Sequence, residues 1–360
     1  MSRLVVDQIA AAVLYEGYIL YPYRPTSVKN QQRWTFGGIY PREYVEGNPG
    51  ADNWRMRSQS LLRGDESTAV RIAVRFLQLT DRTVEKRSGE GFQAVGSLEV
   101  NGRDYYPWQE AVERTVEIGP VAIGELLARG HCERFGFAAN QKIEALDDTA
   151  RLVRRQERID GSVEVLAEAR GEGVYRVSLT VWNESGLRAS QRAGQREQAR
   201  GYTGDSGERE PEMSRDAALV RSLVSTHFIL TVAGGGFVSV TDPPAELAAL
   251  AGECEQVGCW PVLVGEMGAS DTMLVSPIIL PDYPEVAAES PGDLFDGCEI
   301  DEILTLRILT MTEDEKRQAA AADPRAQEML RRTEALAREQ LMNLHGAIRG
   351  MRPVASEGEV

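Results

Sequence analysis

Cysteine, histidine and long apolar runs are all scarce in this chain of 360 residues, and each shortage excludes something. Four cysteines (Cys132, Cys254, Cys259 and Cys298) are too few and too scattered for a disulfide framework. The Cys254-x4-Cys259 spacing is not the C-x2-C pair of a zinc site, and no second pair follows, so no metal site is expected. Of the three histidines, His227 lies in a strand-like run and His345 near a helix end. Neither has a neighbouring nucleophile in sequence, so no triad can be assembled. No stretch approaches the ~20 apolar residues of a membrane span. Positive charge is short as well: 40 Lys and Arg stand against 55 Asp and Glu, a net −15. That balance argues against nucleic-acid binding, because phosphate neutralisation needs clustered cations. At the N-terminus Asp7 and Glu16 interrupt the apolar residues and no cleavage pattern follows, so no signal peptide is read there. The expectation is a cytoplasmic protein with reduced thiols and no catalytic residues, metal or cofactor.

What is present is mostly strand. Leu4, Val5, Ile9, Ala12 and Val13 fall at helical spacing, predicting an N-terminal helix. After a proline-rich stretch, Val70, Ile72, Val74 and Phe76 alternate with Arg71, Ala73 and Arg75, the period of a half-buried strand. The alternation returns in GSVEVLAEA, and in VYRVSLTVW, where Tyr175, Val177, Leu179 and Val181 share a face. Asp160-Gly161 reads as a tight hairpin between LVRRQERI and GSVEVLAEA, and Gly234–Gly236 as a hairpin turn between two strands rather than a phosphate loop. Thr312 with Glu315 fits a capping box, and Asp323-Pro324 a second helix start. These signals predict an α+β chain: a mainly antiparallel β-sandwich with an N-terminal helix and C-terminal helices. The expected divisions are an N-terminal helix and Arg/aromatic loop at 1–65, and a sandwich at 66–242 with a mobile insertion at about 183–215. A small α/β part with closing helices follows at 243–350, then a tail at 351–360.

Two segments of opposite charge are the candidate sites. Asp282, Glu285, Glu289, Asp293, Asp296, Glu299, Asp301 and Glu302 occupy one stretch without a Lys or Arg. Such acids repel unless a cation, a basic partner or water offsets them. They suit a helix start, a docking surface or a hard-cation site, although the D-x-D-x-D-G spacing of a calcium loop is missing. Between Tyr21 and Arg75, nine cations outnumber five acids, with Tyr21, Tyr23, Trp34, Phe36 and Tyr40 among them. Arginine with aromatics is favoured at protein interfaces, and also suits stacking on a ligand. The plainer reading is that the aromatics fill core and the cations pair within the molecule.

The stretches AVLYEGYILYPYRPTSVKNQQRWTFGGIYPREY (12–44) and PVLVGEMGASDTMLVSPIILPDYPEVAAESPGDLFDGCEIDEILTLRILTMTEDEK (261–316) resemble the accessory proteins encoded with actinobacterial-type, oxygen-insensitive [NiFe] hydrogenases. The resemblance covers roughly a quarter of the chain and supplies no catalytic residue. It implies a role beside hydrogenase maturation or assembly; with the two charged segments, the expected function is that of a non-catalytic factor docking on hydrogenase subunits or maturation proteins. The residues expected to bind such a partner are Tyr23, Arg24, Lys29, Asn30, Arg33 and Trp34 from the first segment. From the acidic segment they are Glu289, Asp293, Asp296, Glu299, Asp301 and Glu302. Two rival expectations are a metal-assisted hydrolase using residues 282–302, and a small-molecule or carbohydrate-binding sandwich using Tyr21, Tyr23 and Trp34.

Residues 190–212 hold only Ala and Tyr besides polar, Gly and Pro positions. Such composition cannot bury enough apolar surface to offset ordering entropy. Limited proteolysis is therefore expected to cut first at Arg192, Arg196, Arg200 or Arg209. Deleting the segment should leave the unfolding midpoint nearly unchanged; a fall of more than about 5 °C would show that it packs against the fold.

Overall fold

The computed structural model describes residues 2–48, 50, 53–186, 214–285, 292, 294–295, 301–337 and 340–341. From the N-terminus, α1 (Ser2–Tyr15) is followed by the short helices α2 (Val28–Gln31) and α3 (Arg42–Gly47). Strands β1 (Arg55–Arg63), β2 (Ala69–Ser88), β3 (Gly91–Val95), β4 (Leu98–Val100), β5 (Arg103–Tyr105) and β6 (Trp108–Ala122) precede α4 (Ile123–Arg129). Then come β7 (His131–Phe137), β8 (Asn140–Ala145), β9 (Ala150–Gln156), β10 (Ile159–Gly171) and β11 (Val174–Asn183). After α5 (Arg215–Leu219) the chain forms β12 (Val224–Ala233), β13 (Gly236–Phe237), α6 (Ala248–Gly252), β14 (Gln256–Val257), β15 (Trp260–Leu263) and β16 (Thr272–Ser276). Helices α7 (Asp301–Leu309), α8 (Glu313–Ala322) and α9 (Pro324–Glu334) follow.

The chain is α+β, with antiparallel sheets, an N-terminal helix and C-terminal helices. A six-stranded sheet runs β13-β1-β11-β10-β7, with β14 also on β1. An eight-stranded sheet runs β15-β16-β12-β2-β9-β8, with β3 and β6 also on β2. Alternation sorts the side chains. Val70, Ile72, Val74 and Phe76 of β2 meet Val163, Val165, Tyr175, Val177, Leu179 and Val181 in the core between the sheets. On β12, Phe228 and Leu230 join that core, whereas Ile229 packs with Val262, Val264 and Leu274 against Val6, Ile9, Ala10 and Val13 of α1. Full burial of each such side chain stabilises by roughly 1.5–3 kcal/mol, so both faces of the larger sheet have a reason to be covered. Strands β15 and β16 extend this sheet beyond β12. The capping box of Thr312 and Glu315 opens α8, and Asp323 caps α9 ahead of Pro324.

Two expected turns are corrected. Asp160 and Gly161 lie inside β10, which pairs with β7 and β11, while β9 pairs with β2 and β8 in the other sheet. Gly161 serves close packing: a Cβ there would stand 2.4 Å from Cζ of Phe135 and 2.7 Å from the Trp182 carbonyl oxygen. Gly234–Gly236 does not close a hairpin between paired strands, because β12 belongs to the larger sheet and β13 pairs with β1 in the smaller. The glycines let the chain change sheets, with Gly234 at φ +82° and Gly235 against the Arg63 carbonyl oxygen.

The pairing of β12 with β2 shifts register between Val224 and His227, and Ser225 adopts φ +51° there. His227 is fully buried; its Nδ1 lies 3.1 Å from the Ser225 carbonyl oxygen and its Nε2 has no hydrogen-bond partner among the described residues. Burial, aided by the charge on Arg75, pulls its pKa down to about 4. A histidine depressed in the folded state stabilises fully above its unfolded pKa, and that contribution is lost as pH falls toward the folded value. Lowering the pH from 6.5 to about 4 should therefore cost on the order of 3 kcal/mol from this residue. Urea melts of the native chain and of His227→Gln across that range should diverge accordingly; parallel curves would contradict the assignment.

Candidate functional site

The arginine–aromatic segment is built inward. Arg33 is 3% exposed, donating from one terminal nitrogen to the Tyr18 carbonyl (2.5 Å) and from the other to the Gln109 carbonyl (2.9 Å). Its guanidinium carbon lies 3.6 Å from the centroid of the Trp108 ring, with the rings of Trp34 and Tyr18 at 4.8 and 5.8 Å. Its Nε is buried without a hydrogen-bond partner among the described residues. Burial pulls this guanidinium down to about 9, partly countered by Tyr18 and Asp323, and it remains charged at neutral pH. Around it, Trp34 donates its indole N–H to Oε1 of Gln109 (3.0 Å), and Tyr18 donates its hydroxyl to Asp323 (2.6 Å). Burial and the Asp323 carboxylate push the Tyr18 phenol up. Asn30 is also buried, closing the Leu20–Asn30 loop by accepting from the Leu20 amide (2.7 Å) and donating to the Leu20 carbonyl (2.6 Å).

This burial corrects the expected docking surface. Tyr23, Asn30, Arg33 and Trp34 are interior residues, their polar side chains bonded to Leu294, Leu20, Tyr18 and Gln109. Tyr23 and Trp34 even hold left-handed backbone, φ +58° and +66°, strain of order 1–3 kcal/mol that their side-chain anchors sustain. The rival ligand-stacking reading on Tyr21, Tyr23 and Trp34 loses two of its rings to the same core. Of the expected set, Arg24 is half-buried and pairs with Glu315 (3.4 Å), while Lys29 is exposed on α2. Asp301 and Glu302 occupy the first turn of α7, where the helix dipole favours acids. Glu289, Asp293, Asp296 and Glu299 lie outside the described residues.

The two segments nevertheless meet. Tyr23 donates its hydroxyl to the Leu294 carbonyl (2.9 Å), and the Gly17 amide donates to the Phe295 carbonyl (2.9 Å). Phe295 packs edge-on against Tyr15, and Arg307 stacks over Tyr21 at 5.2 Å. Gly37 abuts Pro277, where a Cβ would come within 2.7 Å of the proline ring. Outward from this unit project Val28, 72% exposed, and Leu306 of α7, 50% exposed. The carboxylate of Asp282 is committed elsewhere: it accepts from the hydroxyls of Ser239 (2.5 Å) and Thr241 (2.6 Å) and from the Leu263 amide (2.7 Å). Among the described residues no group of three or more His, Cys, Asp and Glu is gathered for a metal ion. Among them also, no helix is long and apolar enough to cross a membrane.

A further feature is an open cleft of about 460 Å³ on the outer face of the smaller sheet, which the arginine–aromatic segment reaches through Arg42 and Glu43. Trp54 and Trp182 line it together with Arg42, Glu43, Ser162 and Glu184. The signal for Trp182 was present in VYRVSLTVW: if Val181 and Leu179 face the core, Trp182 must face away. Trp54 precedes β1 and carried no periodic signal. No family model and no curated protein matches this chain.

Arg33 generates a test. Arg33→Glu should destabilise by roughly 3–5 kcal/mol, because a carboxylate would replace the cation among carbonyl oxygens and ring faces. Arg33→Met should cost less, its apolar stem still covering Trp108 while the Tyr18 and Gln109 carbonyls lose their donors. Denaturant melts in which Arg33→Glu matches the native chain would place this side chain in solvent.

Proposed function

We propose that the chain is a non-catalytic accessory or assembly factor of a [NiFe] hydrogenase, acting by docking onto hydrogenase subunits or their maturation proteins. The family resemblance of residues 12–44 and 261–316 suggests the system. The observation that carries the docking reading is that these two segments, distant in sequence, pack on each other through Tyr23–Leu294, Gly17–Phe295 and Tyr21–Arg307. Residues that carry a shared likeness and also share one packed unit are what a common binding surface requires. The buried arginine cluster would then stiffen the platform, and its exposed rim would meet the partner. Val28, Lys29 and Leu306 are the rim residues of this reading. Exposed apolar side chains beside charge are the composition of an interface whose few central residues dominate affinity.

Affinity capture of the tagged full chain from cells expressing the hydrogenase tests this. The expected result is co-purification of hydrogenase subunits or maturation proteins, falling about tenfold or more for the combined Val28→Asp and Leu306→Asp variant. Thermal unfolding of the isolated variant should stay close to that of the native chain, since both positions are exposed. Capture of none of these proteins, or equal capture by the variant, would remove the proposal.

A further inference from the structure

The cleft lined by Trp54 and Trp182 has the construction of a ligand site, and it shares Arg42 and Glu43 with the first segment of the docking unit. Its backbone is pinned. The Asn183 amide side chain donates to the carbonyls of Ile39 and Arg221, both at 2.8 Å, and its Oδ1 accepts from the Ser185 amide at 2.9 Å. The Asn183 backbone N–H donates to the Trp54 carbonyl (3.2 Å), and the Glu184 N–H to the Asp160 carbonyl (2.9 Å). Both tryptophans are thus attached to one rigid corner of the sheet. Trp182 stands on the outer face between its cross-strand neighbours Arg55 and Ser162. Both indoles are half-buried, and neither N–H donates to a protein acceptor among the described residues.

The polar groups restrict the ligand's chemistry. The Ser162 hydroxyl donates to Oε1 of Glu184 (2.6 Å), which orients an exposed carboxylate with capacity to accept further hydrogen bonds. Among the described residues the cation of the lining is Arg42, its guanidinium 4.8 Å from the Trp54 ring centroid and donating to Glu46 at 2.6 Å. An anionic ligand would meet the acids Glu43 and Glu184 with that cation already paired. A cationic ligand would compete with Arg42 for the face of Trp54. A neutral ligand that combines an apolar face with hydroxyl donors meets neither obstacle. The volume of about 460 Å³ lies within the ~300–1,000 Å³ range of small-molecule sites.

We propose that this cleft binds a short neutral oligosaccharide, its apolar ring face laid on Trp182, its hydroxyls donating to Glu184 and accepting from the indole N–H groups. The inference goes beyond the docking reading and needs no partner protein, so the two can fail separately.

The test titrates the purified full chain with maltotriose, cellotriose and chitotriose, read by tryptophan fluorescence and calorimetry, with choline and glucose 6-phosphate as charged comparators. A saturable response to at least one neutral trisaccharide is expected. Trp182→Ala should weaken it about tenfold or more, equivalent to ~1.4 kcal/mol. Glu184→Gln and Trp182→Phe, which disturb packing least, should each weaken it about threefold or more. Those two variants decide the matter if Trp182→Ala does not fold. Absence of saturable binding by every trisaccharide up to ~10 mM, a range that already includes very weak complexes, would overturn the proposal. So would undiminished binding by Glu184→Gln and Trp182→Phe, or tighter binding of either charged comparator.

Discussion

The backbone N–H and C=O groups along β2 point alternately to its two edges, so both edges need partners along a strand twenty residues long. On one edge β6 pairs with residues 69–82 and β3 with residues 84–88. On the other, β12 pairs with residues 69–77 and β9 with residues 81–86. Four strands, from the adjacent β3 to the distant β12, are therefore set in register by one. Because side chains alternate, that register also dictates which residues face the second sheet and which face α1. The bulge at Ser225, which buries His227, is a local departure that this pairing tolerates.

A second constraint is the cation enclosed by aromatic rings. Arg33 joins the N-terminal segment to β6 through the Gln109 carbonyl and the face of Trp108. Arg82 of β2 extends the connection, pairing with Glu110 (3.0 Å) and donating to the Ala322 carbonyl at the end of α8 (2.7 Å). Tyr18 reaches Asp323 at the start of α9. Segments from both ends of the described chain are thus held on one sheet by charge-assisted hydrogen bonds, stronger than neutral ones. Beside this arrangement the segments of residues 12–44 and 261–316 are joined through Tyr23–Leu294, Gly17–Phe295 and Arg24–Glu315, which gives the docking proposal its physical basis.

The two proposed surfaces differ in kind. At the rim of the arginine cluster, single exposed residues stand on a stiff interior, an arrangement suited to a protein partner. At the cleft, two indoles and an oriented carboxylate stand on a corner fixed by Asn183, an arrangement suited to a small ligand. Neither involves His227 or Cys259, both buried; burial also pushes the Cys259 thiol up to about 12, away from nucleophilic use.

Local pattern alone determined the elements that depend on neighbours in sequence. The alternation of Val70 to Phe76 and of Tyr175 to Val181 gave strands with the correct inward faces, helical spacing gave α1, and Thr312 and Asp323 marked their helix starts. These follow from backbone periodicity and from capping, which act over a few residues. The tertiary structure decided what local pattern does not contain. It sent β9 and β10 to different sheets, although Asp160-Gly161 has the composition of a hairpin. It buried Arg33 and Trp34, whose type suits a surface, because carbonyls and rings from β6 and the Tyr18 region replace the water that arginine would otherwise keep. It also brought Trp54 beside Trp182, through pairing of the β1 and β11 strands that they flank and end. Partner choice and burial are long-range outcomes of packing, so only the assembled fold could fix them.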